Sequence, residues 1–112
     1  MLEQKDIFVS GTSGYHTFRI PSLIAAKNGA LLAFCEGRRD GTSDTGTIEI
    51  LLRRSQDGGD NWSPIECVWA DPQNTCGNPC TVVDETTGMI SLLMTHNLGD
   101  DVESKIIDGT SK

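Results

Sequence analysis

The chain has 112 residues, 37% of them hydrophobic and 22% charged, with a formal net charge of −7. That length supports one small domain or part of a larger one. The acidic balance disfavours non-specific attraction to nucleic acid or anionic membranes, though a few arginines can still build a local basic pocket.

The N-terminus, MLEQKDIFVSG, carries no long apolar run, so neither a secretory signal peptide nor a transmembrane helix is expected there. The compartment stays open: in a secreted, periplasmic or lysosomal protein the signal would lie outside these residues. Helical periodicity is weak throughout. Short apolar runs rich in β-branched residues recur instead, bounded by Gly, Asn, Asp or Pro. They predict strands at about 6–10, 18–26, 31–36, 47–54, 65–70, 80–84 and 89–95. Lys27-Asn28-Gly29 and Glu85-Thr86-Thr87-Gly88 supply turn chemistry between neighbouring runs. The class is all-β with antiparallel neighbours in sequence order. The runs from 18 to 70 make one four-stranded unit and the later runs begin a second, so residues 1–112 read as part of a larger β-fold. The polar tail, residues 98–112, predicts no further strand.

Within the first run, Arg19 stands between Phe18 and Ile20, with Pro21 following. An unpaired guanidinium inside a packed sheet is costly, and proline cannot donate to a strand ladder. Either Arg19 meets water at a strand end, or an anion meets it there. The four cysteines do not explain it. Cys76 and Cys80 have no matching pair in Cys35 and Cys67, and His16 and His96 are distant, so the spacings of a structural zinc site are missing. Free thiols or one disulfide remain open, and neither metal nor cofactor is expected.

Residues 55–62, SQDGGDNW, place Ser55, Asp57, Gly59 and Trp62 in the spacing S-x-D-x-G-x-x-W. Ser55 and Asp57 can bond turn amides, Gly59 can take a positive φ, and Trp62 can fold back as an anchor. The loop lacks the ligand count of a calcium site. The pattern resembles the Asp box, the bacterial neuraminidase repeat, with Asn61 where Thr is usual. In that family the box is a structural turn remote from the active site.

The order FRIP, CEGRRDGTSDTG, Asp box and GNPC closely resembles the N-terminal part of the exo-α-sialidases, across essentially the whole chain. The resemblance implies a six-bladed β-propeller, of which these residues would form the first blade and part of the second. It implies a glycoside hydrolase that releases terminal sialic acids from glycoproteins, glycolipids or oligosaccharides, retaining and without a cofactor. Arg19 would be one prong of a three-arginine clamp on the sugar's carboxylate. An always-charged planar fork suits that task where lysine does not. Asp44, six residues after Arg38, would be the general acid/base, with Asp40 the alternative because Arg38-Arg39 blurs the register. Arg38 would line the pocket, its neighbour Arg39 pointing to the opposite face, and Glu36 could orient one of the two. Asn78 would sit beside the N-acetyl group. The family's tyrosine nucleophile, its glutamate partner and two clamp arginines have no match here. Tyr15 precedes FRIP and reads as a packing residue, so residues 1–112 alone are expected to be inactive. The alternative is a non-catalytic Asp-box propeller that binds glycans or proteins, which has no use for an acid at Asp44.

Overall fold

The computed structural model describes residues 2–110. Six strands form one sheet: β1 (Thr17–Ala25), β2 (Leu31–Arg38), β3 (Ile48–Ser55), β4 (Glu66–Trp69), β5 (Thr75–Val83) and β6 (Ile90–Asn97). A short helix, α1 (Glu103–Asp108), follows. Strands β1 to β4 run as an antiparallel meander. β5 and β6 form a hairpin joined to β3 by a single parallel pairing, Ile48 with Thr75. The fold is therefore all-β, a four-stranded propeller blade and a hairpin of a second.

Alternation along β2 and β3 creates two faces. One carries Leu32, Phe34, Ile50 and Leu52, which pack with Cys76 and with Ile24, Ile90, Leu92 and Met94 where the hairpin lies against the blade. The other carries Cys35 and Leu51, which pack with Tyr15, Phe8, Phe18 and Ile65. The first face changes character along its length. Its apolar residues occupy the half nearer Leu31, and Glu36 and Arg38 continue the same stripe at the other end.

The sequence differs from the structure in three places. Residues 6–10, expected as a strand, form bends and turns. The Ile7 carbonyl accepts from Arg53 Nη1, and the Phe8 ring packs 5.4 Å from Phe18, so side chains rather than a ladder hold this segment. β5 begins at Thr75 rather than near 80, running through Gly77-Asn78-Pro79 as a bulge. Finally, β4 and β5 are not paired: the chain leaves the blade after Trp69 and returns beside β3. No described helix is long and apolar enough to cross a membrane.

Candidate active site

Two bulges of the same design shape the site. β1 shifts register between Arg19 and Ser22, and β5 between Gly77 and Cys80. Each contains a residue of positive φ followed by proline, Ile20 (56°) then Pro21 and Asn78 (51°) then Pro79. Positive φ is costly for a β-branched residue such as Ile20. Pro21 sits where β1, an edge strand, needs no ladder donor on that side. Arg19 lies directly across from Glu36, so both side chains leave the same face.

There they border a cleft of about 400 Å³ whose walls include Arg19, Glu36, Arg38, Asp44, Asn78 and Asp101. Arg38 is 3% exposed and spends its donors on the protein. Its Nε and Nη2 donate to Glu36 Oε1 at 3.0 and 2.6 Å. Its Nη1 donates to the carbonyls of Thr42 and Ser43 and to Asp44 Oδ1, the last at 2.8 Å. One buried guanidinium thus fixes three consecutive residues of the loop that carries Asp44. The loop is also fastened at Gly46, whose N–H donates to the Gly99 carbonyl (2.8 Å) and whose carbonyl accepts from Thr75 Oγ1 (2.8 Å). Asp44 itself stays 75% exposed, with Arg19 Nη1 3.7 Å from its Oδ1. Asp40 is turned away, accepting the Thr47 N–H, and is not among the residues lining the cleft.

Glu36 does more than its sequence context promised. Its second oxygen accepts the backbone N–H of Asn78 at 2.8 Å, so one buried carboxylate ties Arg38 on the blade to the β5 bulge on the hairpin. Gly77 makes this possible, because a Cβ there would stand 2.5 Å from Glu36 Oε2. The signal available in the sequence was spacing: Glu36 and Arg38, two apart on a strand, must share a face.

Arg39 faces the other way. Its Nε donates to Glu49 Oε1 at 2.7 Å, its guanidinium lies 4.6 Å from the centre of the Tyr15 ring, and Tyr15 Oη donates to Glu49 Oε2 at 2.6 Å. Burial pushes the Glu49 carboxyl up, but the hydrogen bonds from Arg39 and Tyr15 outweigh it and the net shift is downward. Burial, reinforced by Glu49, raises the Tyr15 phenol well above its ordinary value.

Ser55, Asp57, Gly59 and Trp62 form the β3–β4 turn. Ser55 Oγ donates to Asp57 Oδ1 (2.8 Å) and accepts the Gly59 N–H (2.9 Å), Asp57 accepts the Asn61 N–H (2.9 Å), and Trp62 Nε1 donates to the Gly59 carbonyl (3.1 Å). Gly59 has a φ of 98°. The backbone and side-chain bonds from Asn61, with that from Ser55, hold Asp57 at about 2. This turn adjoins Leu31, seven residues along β2 from Arg38, hence about 23 Å from the cleft at the usual rise per strand residue.

Comparison with known proteins follows this geometry. An exo-alpha-sialidase of Arthroderma benhamiae is 34% identical over 94% of the chain, which spans 29% of that relative. The sialidase of Micromonospora viridifaciens is 37% identical over 78% of the chain and 14% of its own length. The chain belongs to the exo-α-sialidase family. A solved relative, the Hadza microbial sialidase Hz136, superposes with a TM-score of 0.76 at 29% identity, covering 82% of the chain and 20% of that structure. No family model matches. The chain spans less than a third of the length of these sialidase relatives, which is the extent of one blade and a hairpin.

Proposed function

We propose that residues 1–112 are the N-terminal portion of the catalytic propeller of an exo-α-sialidase acting on sialylated glycans. The observation that carries this is the exposed carboxylate of Asp44, gripped at 2.8 Å by the buried Arg38 and facing Arg19 across 3.7 Å. Arg19, half exposed and free of any closer carboxylate among the described residues, takes the substrate carboxylate as a planar fork. Asp44 protonates the departing glycosidic oxygen and then accepts a proton from the water that releases the sugar, as a retaining enzyme requires. Arg38 acts as the brace that aims it, and Asn78 lines the opposite wall beside the N-acetyl group.

The nucleophile comes from outside these residues. Tyr15 is the one tyrosine in the chain. It lies on the other face of the blade, packed with Cys35 and Leu51 and away from the cleft. Residues 1–112 alone are therefore inert, and the chemistry belongs to a longer chain that contains them. A glycan-binding propeller without catalysis would need Arg19 but would have no use for an acid braced by a buried arginine.

The test is Asp44→Asn in that longer chain. Loss of the proton donor should lower kcat/KM on natural sialosides about 10²–10⁴-fold. An activated aryl sialoside, whose leaving group needs no proton, should lose far less in the first step. Equal losses on both substrates would contradict the acid role.

A further inference from the structure

We propose that Asn74 is a positioning residue for the reaction: from outside the cleft it fixes the second anchor of the loop that carries Asp44, and so the aim of the acid. The role rests on the sialidase reading of the cleft and extends it to a residue that touches no substrate. Asn74 is not among the residues lining the cleft. It stands in the crossover between β4 and β5, immediately before Thr75.

Two different parts of the fold hold the loop between β2 and β3. Arg38 holds Thr42, Ser43 and Asp44 from the blade. Beyond Asp44 the anchor is Gly46, which accepts from Thr75 Oγ1 and donates to the Gly99 carbonyl. Gly99 can serve only if it is itself fixed. It belongs to the turn between β6 and α1, and its N–H donates to Asn74 Oδ1 at 3.0 Å. It also packs against the crossover so closely that a Cβ would stand 1.8 Å from the Gln73 carbonyl oxygen. Asn74 is therefore two hydrogen bonds from the acid loop, through a single glycine.

The Asn74 amide has one orientation open to it. Its Nδ2 donates to Asp71 Oδ2 at 3.1 Å, and His96 Nε2 lies 2.7 Å from the same oxygen. The bond from Asn74, with the second from His96, holds the Asp71 carboxyl below its ordinary range. An ionised carboxylate can only accept, so the amide nitrogen is committed to it and Oδ1 must face the Gly99 N–H. The main chain of Asn74 is equally committed. Its N–H donates to the Asp71 carbonyl at 2.9 Å, and its carbonyl accepts the N–H of Ile48, where the acid loop joins β3, at 3.3 Å. A polar network with every member paired is rigid, and removing one member costs more than one bond. Thr75, the next residue, supplies the other bond to Gly46, so one short stretch of crossover secures that anchor from both sides.

The experiment measures kcat/KM in the longer chain on a sialylated oligosaccharide, whose leaving group needs the proton, and on an activated aryl sialoside, whose leaving group does not. Asn74→Ala should lower cleavage of the oligosaccharide about tenfold or more, the scale of a small misplacement of a catalytic group. The aryl substrate should stay within about twofold, because its first step does not use the acid. A merely structural role would change both substrates alike. Reversing the polarity of the pair gives a second arm. Asn74→Asp sets two carboxylates against each other and should show the same selective loss. Adding Asp71→Asn returns a donor to the pair and leaves an acceptor for the Gly99 N–H, and should restore most of the oligosaccharide activity. Equal effects on the two substrates, no effect on either, or no recovery in the reversed pair overturns the inference. If Asn74→Ala fails to fold, the reversed pair decides on the same criterion. Selective loss in Asp44→Asn without selective loss in Asn74→Ala overturns this inference alone. An unsubstituted enzyme that cleaves neither substrate overturns the sialidase reading, and this inference with it.

Discussion

Arg38 and Arg39 are adjacent, and each meets a carboxylate two or ten residues away, yet their surroundings could hardly differ more. Arg38 is buried, and its reach ends on an exposed acid in an open cleft. Arg39 is partly exposed, and its reach ends inside, on Glu49, which the Tyr15 hydroxyl also holds. On one face a buried charge fixes the loop of Thr42, Ser43 and Asp44 beside the cleft; on the other a surface charge reaches in to a buried carboxylate. A guanidinium beside a carboxylate does not by itself mark a site. What marks it is an acid left in solvent after the arginine's other donors have been used up.

Removing each arginine is the sharpest way to break this comparison. Arg38→Met leaves Glu36 buried without its cation, which should cost about 3–5 kcal/mol and abolish detectable cleavage by releasing the Asp44 loop. Arg39→Met also strips a buried carboxylate, Glu49, of its cation but leaves it the Tyr15 hydroxyl, so it should cost less, about 2–3 kcal/mol, with kcat/KM within twofold of the unsubstituted enzyme. Denaturant titration and turnover measured on the same two proteins would separate the faces. Similar effects on activity would mean the faces are not functionally distinct.

A gentler pair probes the same contrast through glycine. A Cβ on Gly77 would meet the Glu36 carboxylate at 2.5 Å, whereas one on Gly37 would collide with Leu51 and stand 2.7 Å from the Tyr15 ring. Overpacking costs about 1–3 kcal/mol in either place. Gly77→Ala should also lower kcat, because Glu36 must shift and carries Arg38 with it. Gly37→Ala should lower the melting temperature while leaving the pH–rate profile of the surviving enzyme unchanged.

The smallest effect is expected at the turn far from both arginines. Asp57 has its pKa depressed to about 2 in the fold against an ordinary 3.8. Its bonds therefore stabilise the turn fully above the ordinary value, and that contribution is lost as pH falls from there through about 2. Asp57→Asn should reduce the drop in melting temperature between pH 5 and pH 2 without altering turnover at neutral pH.

Much of this was legible in the sequence because strand periodicity and turn chemistry are local. The β1–β2 and β5–β6 turns fall where Gly29 and Gly88 announce them, and the strict alternation of an extended chain sends Arg38 and Arg39 to opposite faces. The misses were tertiary. Asp-Ile-Phe-Val-Ser has strand composition, but Arg53 and Phe18 bind it side-on, which no local pattern reveals. Gly77-Asn78-Pro79 reads as a loop until the bulge in β1 shows its counterpart. The six residues of α1 give no periodic signal. Asp101 sits in a polar tail, and nothing local shows that the fold brings it to the wall of the cleft.

The most direct test of the central claim is charge recognition at Arg19. Cleavage of an aryl sialoside should be compared with cleavage of its carboxyl methyl ester, in the complete enzyme and in Arg19→Met. The account predicts at least a hundredfold preference for the free carboxylate, cut about tenfold or more in Arg19→Met as the clamp loses one of its three arginines. A preference that survives the substitution intact would contradict it, because the anion would then be held by something other than the arginine this fold turns into the cleft.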